Sequence, residues 1–297
     1  MSAPDLLVKA TAADNTIRAL AAVTTALVEE ARVRHQTAPT ASAALGRTLT
    51  ASLLLGSMLK EDEKLSLQFM GRGPLRGIFA EANGQGEVRG FVYHPRTHLS
   101  LNRGKLNVGG AVGAGTLTVI RAQSWNKEPY RSVLPIVSGE IGADIAHYLL
   151  SSEQIPSAVS LGVFVAPTEA VVASGGFLLQ VMPGASVETI AQLETCVARA
   201  KPVSQLVREG ATPIEIITHA LEGFVPLTVG EVPVRFVCRC SRERVMGALV
   251  ALGVAEIRDL VEKEGQARVT CEFCNEQYVL DRDELEALTA SCSSAVR

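Results

Sequence analysis

The chain begins with a short apolar run around Leu6–Ala10 that suits a strand. Two Ala-rich stretches follow, about Thr16 to His35 and about Ala41 to Leu59, whose apolar spacing predicts two helices. Between Leu65 and Leu134 the pattern shortens to β-rich runs, including LSLQF at 65–69, VRGFVY at 88–93 and TLTVI at 116–120. Turn segments at Gly71–Pro74, Asn83–Gly86 and Gly109–Gly115 separate them. A helix is expected from Ser138–Glu140 to about Ser152, with Ile141, Ile145, Tyr148 and Leu149 on one face. Two more strands are expected at 160–166 and 177–182. Helices and strands are segregated rather than alternating, which predicts an α+β fold.

From Ser186 to Glu231 the texture changes to short helical patterns broken by Pro202, Gly210, Pro213, Gly223 and Pro226. Helices that short are not stable alone and must pack on something else. The expected organisation is an N-terminal mixed sheet-and-helix domain over 1–185, a helical linker over 186–232 that is either ordinary connecting helices or a metastable segment able to detach, and a small C-terminal unit over 233–297.

Composition narrows the classes of function. The 297 residues carry 28 basic and 31 acidic side chains, a net charge of −3, which argues against a general nucleic-acid binder. Hydrophobic residues make up 47 % and charged residues 20 %, which excludes disorder of the whole chain. The N-terminal stretch carries Asp5, Lys9 and Asp14 where a signal peptide is apolar. The most apolar region, Val159 to Met182, is interrupted by Pro167, Glu169 and Gly175–Gly176, so it reads as buried strands rather than a membrane span. The expectation is a cytoplasmic protein, with no membrane and no nucleic-acid partner, whose cysteines are more often metal-binding or redox-active than structural disulfides.

The cysteines then become the informative residues. Cys238 and Cys240 form a C-x-C pair in VRFVCRC, and Cys271 and Cys274 form a C-x-x-C pair in VTCEFCNEQYVL. Residues 241–270 lie between them and contain two amphipathic helical patterns, Ser241–Leu252 and Ala255–Glu264. Zinc takes four thiolates in a tetrahedron at about 2.3 Å, and close pairs from two separated segments meet that need. If Cys238 and Cys240 lie on a strand, residues two apart face one side. Cys271–Cys274 looks like a tight knuckle on a hairpin. Arg235, Arg239, Arg242 and Arg244 flank the first pair and would favour thiolates. Cys196 and Cys292 have no partner at ligand spacing, and both stay unassigned.

At these residues the chain resembles the heat shock protein 33 family of bacterial redox-regulated chaperones. The match runs through 236–253, 256–265 and 271–280, and through the body at 71–92, 137–163 and 173–185. The resemblance implies a cytosolic holdase that needs no ATP and is not an enzyme. It implies one Zn2+ per chain in the reduced, inactive state, held by Cys238, Cys240, Cys271 and Cys274. Oxidative stress would form two disulfides, Cys238–Cys240 and Cys271–Cys274, release zinc and unfold the switch region and linker. The exposed surface would bind unfolding client proteins, and the active form would be a homodimer that later hands clients to an ATP-dependent foldase. No client-binding residues are assigned.

Other signals carry less. The glycines at 109–115 lack the Lys-Ser/Thr of a phosphate loop, and His94 and His98 sit far from the cysteines beside a proline turn. A zinc ribbon for nucleic acid lacks an aromatic stacking platform, and a thiol–disulfide oxidoreductase would use Cys271–Cys274 alone. Cys271→Ser is expected to weaken zinc binding and loosen the terminal unit. Native-like thermal stability with stoichiometric zinc in that variant would count against the ligand assignment.

Overall fold

The chain divides into two compact units, Met1–Val237 and Cys238–Arg297. The computed structural model describes residues 4–60, 63–123 and 128–294, without the side chains of 290–294. In the first unit β1 (Leu6–Ala12) and β2 (Ile17–Val23) form an antiparallel hairpin. Its turn places Ala13, Asp14 and Asn15 all at positive φ, a conformation that Asp and Asn tolerate better than most residues. The helix expected from Thr16 to His35 is therefore a strand followed by a shorter helix, α1 (Thr25–His35). The alanines of β2 mislead because the strand is buried on both faces, so it shows no polar alternation. Pairing with β1 and β9 (Val171–Val181) overrides their helix propensity.

The 18-residue helix α2 (Pro39–Gly56) occupies the centre of the unit. It packs on one side against β3 (Glu63–Gly71), β4 (Gly77–Asn83) and β5 (Glu87–Val92). Its other side meets β2, β9 and β8 (Ser157–Val165). A helix covered all round can have no polar stripe, and α2 carries one charged residue, Arg47. Its buried hydroxyls bond within the protein: Thr48 Oγ1 to the Ala44 carbonyl at 2.9 Å, Thr50 Oγ1 to the Gly46 carbonyl at 2.9 Å. Small residues allow the close approach. A Cβ on Gly46 would lie 2.6 Å from a methyl of Val28 and 2.9 Å from one of Val163.

Two sheets flank this helix. One is antiparallel, in the order β10-β1-β2-β9-β8, where β10 is Leu227–Pro233. The second runs β11-β5-β4-β3-β6-β7, with β6 (Gly115–Gln123), β7 (Tyr130–Pro135) and the two-residue β11 (Arg235–Phe236), which pairs parallel to β5. The glycine stretch at 109–115, expected as a sheet connection, also contains the short helix α3 (Val108–Val112). The apolar region 159–182 forms β8 and β9, as expected. Among the described residues no helix is long and apolar enough to cross a membrane.

Residues 186–220 form three short helices, α5 (Val187–Arg199), α6 (Val203–Arg208) and α7 (Pro213–Ala220). Leu193, Val203, Leu206, Ile216 and Ile217 bury themselves on the face of the first sheet made by Val8, Ile17, Ala19, Phe177 and Leu179. Helical character then ends. The rest of the stretch expected to be helical up to Glu231 enters the sheet as β10, because LTVGEVP pairs with β1 and supplies an edge strand.

Helix α4 (Gly142–Ser151) lies within the expected 138–152 and buries Ile145, Tyr148 and Leu149, with Ile141 buried just ahead of it. Its first turn depends on Asp144, which is buried. The carboxylate accepts backbone N–H groups of Val137 at 2.8 Å, Ser138 at 2.9 Å and Ile141 at 3.1 Å, and the Ser138 hydroxyl at 3.2 Å. Ile141 sits at φ +64°, a strained place for a β-branched residue, and Asp144 holds it there. Asp144→Ala strips these donors of their acceptor in a buried place, so it is expected to cost about 3 kcal/mol or more. Urea unfolding of the full chain, followed at the first unit, checks this.

Candidate metal centre

The second unit has little core. Its buried apolar cluster among the described residues is Val245 and Leu249 from α8 (Arg242–Leu252), Ile257 and Val261 from α9 (Val254–Lys263), Ala267 from β12 (Gln266–Thr270), Leu280 from β13 (Gln277–Asp281), and Leu285 and Leu288 from α10 (Arg282–Ser294). Eight such residues in a unit of sixty fall short of what an independent domain ordinarily buries. A unit of this size is marginal on its own and gains from a covalent or metal cross-link.

Four thiols are placed to supply that cross-link. Cys238, Cys240, Cys271 and Cys274 bring their sulfurs within 4.8 Å of one another. Cys238 and Cys271 are 3.7 Å apart and Cys240 and Cys274 are 3.3 Å apart, so each close pair joins the two separated segments. A tetrahedron of sulfurs about 2.3 Å from a central zinc has edges of about 3.8 Å, close to these separations. Four thiols without carboxylate or imidazole form a soft donor set, which suits zinc. The sulfurs also stand too close together to enclose a multi-iron cluster. The four cysteines can therefore hold one metal ion, and zinc fits.

Local structure explains how each pair is presented. β12 and β13 form a hairpin, and the loop between them closes through the Cys271 N–H to the Glu276 carbonyl at 2.9 Å and the Asn275 N–H to the Cys271 carbonyl at 2.7 Å. Asn275 takes a left-handed conformation at φ +62°. The expected knuckle is thus formed. Cys238 and Cys240 lie on no strand, contrary to expectation: β11 ends at Phe236 and residues 237–240 have no regular structure. Their convergence is fixed instead by the start of α8. Ser241 caps that helix by accepting the Arg244 N–H at 3.4 Å. Arg242 reaches across the unit to both oxygens of Glu284 at 2.6 Å and to the Val279 carbonyl at 2.8 Å. That fork ties the C-x-C end to the hairpin and to α10.

Burial pushes the thiols of Cys271 and Cys274 up, against the downward pull of backbone N–H groups directed at their sulfurs. Of the arginines that flank the first pair, Arg242 is paired with Glu284 and Arg235 with Glu87. Cys196 is not part of the cluster. It is buried in α5, its thiol donates to the Glu222 carbonyl at 2.9 Å, and burial pushes its pKa up. The Cys292 side chain lies outside the described residues. His98 Nδ1 pairs with Thr40 Oγ1 at 3.0 Å in the first unit.

Two features have no counterpart in the sequence expectations. One is helix α10, although Asp281 and Glu284 exchange backbone bonds at 3.0 Å in a capping box that their spacing announces. The other is the Tyr278 hydroxyl, which donates to Cys240 Sγ at 3.1 Å, a contact that only the hairpin register brings about. Thiols raised by burial stay protonated at neutral pH, so loading a cation must displace protons. Apparent zinc affinity is expected to fall steeply as pH drops from about 8 to about 6, with proton release on loading. Titration against a competing chelator checks this, and pH-independent affinity would contradict thiolate ligation.

Comparison with known proteins agrees in sequence and in structure. A family profile described as Hsp33 protein matches residues 5–281. The 33 kDa chaperonin of Bacillus subtilis (strain 168) is 49 % identical over 286 residues, covering 96 % of this chain and 98 % of the relative. That of Staphylococcus aureus (strain JH9) is 44 % identical over 288 residues, 97 % of this chain and 98 % of its own. The crystal structure of the 33 kDa chaperonin (heat shock protein 33 homolog) from Thermotoga maritima aligns with a TM-score of 0.93 at 34 % identity. It spans 98 % of this chain and 100 % of the other. With the four-cysteine cluster seated in the small unit that this fold places at its C-terminal end, the chain belongs to the Hsp33 family of chaperones.

Proposed function

We propose that the protein is an oxidation-activated, ATP-independent holdase whose zinc-loaded, reduced form is inactive. The observation that supports this best is the sulfur cluster, which joins two segments of a unit whose apolar core is too small to hold them together alone. Cys238, Cys240, Cys271 and Cys274 are the zinc ligands on this reading. Bound there, one Zn2+ per chain supplies a cross-link of roughly 10–16 kcal/mol of apparent free energy, the range for small zinc units.

Oxidation removes the charge that holds the ion. One thiolate attacks hydrogen peroxide, takes one oxygen as sulfenic acid and releases hydroxide. The neighbouring thiolate then attacks that sulfur and expels a second hydroxide, and two protons from solvent complete two waters. One peroxide thus accepts the two electrons of one disulfide. The pairs are Cys238–Cys240 and Cys271–Cys274, and each closes only a tiny loop, which constrains the chain little. Two local bridges cannot replace a clamp across residues 241–270.

Loss of the second unit is coupled, on this reading, to the linker at 186–232. Helices α5, α6 and α7 have 13, 6 and 8 residues, and depend on the sheet for their stability. Their departure uncovers the sheet face around Ile17, Phe177 and Leu179, a surface suited to unfolded clients. The protein acts by stoichiometric binding, not as an enzyme. It works in the cytoplasm as a homodimer once activated, and passes clients to an ATP-dependent foldase.

The test compares suppression of client aggregation before and after peroxide treatment, with zinc release and disulfide mapping in parallel. Activity is expected only after oxidation, with zinc lost and both bridges local. Equal activity in the two states, or bridges joining the separated segments, would overturn the switch.

A further inference from the structure

Besides the contacts of the sulfurs with one another, two kinds of donor reach this cluster. Backbone N–H groups of Phe273 and Cys274 serve Cys271, and that of Glu276 serves Cys274, all within the knuckle. Cys240 stands outside the knuckle, and besides its contact with the Cys274 sulfur at 3.3 Å it meets a side-chain hydroxyl. The Tyr278 hydroxyl reaches its sulfur at 3.1 Å from the opposite segment. Two restraints fix the ring's place. Tyr278 pairs with Val269 across the hairpin, and its ring packs against the apolar cluster that includes Leu280 and Val245.

We propose that Tyr278 is a positioning residue for the cluster, whose hydroxyl hydrogen bond to Cys240 sets how tightly that sulfur holds zinc and how fast it reacts with peroxide. This rests on the metal reading above and adds a residue to it. A hydrogen bond to a charged acceptor is about twice as strong as a neutral one, and four thiolates around one dication leave excess negative charge on sulfur. The donor draws electron density from Cys240. It holds that sulfur in place for the ion and weakens it as a nucleophile toward the peroxide oxygen. The same bond fastens the C-x-C segment to β13, so it acts on the seam that zinc itself closes.

The experiment uses the full-length chain with Tyr278→Phe, which keeps the ring and its packing and deletes only the donor. Saturating zinc is expected to load stoichiometrically, with affinity reduced about tenfold, the lower end for lost partners of metal ligands. Peroxide-driven zinc release, followed with a chromogenic chelator, is expected to quicken several-fold. In the cobalt-substituted protein, the sulfur-to-metal charge-transfer band is expected to move to lower energy, which a ring acting by packing alone would not cause. Tyr278→3-fluorotyrosine, with a more acidic hydroxyl, is expected to move the band and the release rate in the opposite direction. It answers the question even where the Phe variant fails to fold. Affinity, band position and release rate unchanged in a zinc-loaded variant would overturn the inference alone. An unsubstituted chain that takes up no zinc would overturn the metal reading and this inference with it.

Discussion

A sheet that is apolar on both faces must be covered twice, and the first unit is organised around that constraint. Leu20 and Leu178 are buried on strands that meet α2, while Ile17, Ala19, Phe177 and Leu179 lie beneath α5, α6 and α7. The two covers differ in kind. One is a single helix of 18 residues, packed between two sheets. The other is assembled from three short pieces joined at Pro202 and Gly210. A continuous helix forms and melts cooperatively, whereas short helices owe their stability to the surface they cover. The sheet therefore has one continuous cover and one segmented cover.

The second unit meets the opposite problem, too little apolar surface rather than too much. Its eight core residues come from five elements, and at the seam between the C-x-C segment and the hairpin Arg242 also donates to the Val279 carbonyl. The Arg242–Glu284 fork spans that seam, but Arg242 keeps 41 % of its side-chain surface exposed. A pair that open to water contributes little. Four sulfurs at the same seam outweigh it once they share an ion.

The chemistry of this protein is more legible in its sequence than its topology. Thiol pairs at short spacing report a local arrangement, and local arrangements survive any error in the global fold. Cys238, Cys240, Cys271 and Cys274 converge even though the strand invoked to align the first two is absent. Helix α4 is legible for a similar reason, because its one-sided apolar face is written in consecutive turns. Strand β2 is not, since Ile17–Val23 is buried on both sides and alanine prefers helix until neighbouring strands claim it. β10 is hidden because an edge strand contributed from so far along the chain depends on a partner, β1, more than two hundred residues away. The Tyr278–Cys240 contact is hidden for the same kind of reason, as it needs hairpin register and the path of a distant segment together.

The covalent tethering of α5–α7 to the sheet they cover has a consequence for release. On the proposed reading, a client seated on that face competes with the protein's own helices for the same apolar residues. Those helices are part of the same chain, so their effective concentration at the face is of millimolar order for short flexible connections. On that reading, once reduction and zinc return the second unit to its fold, the competitor would become available again and loosen the client for transfer to the foldase. The chain would then carry its own eluant, with reducing conditions deciding when it is applied.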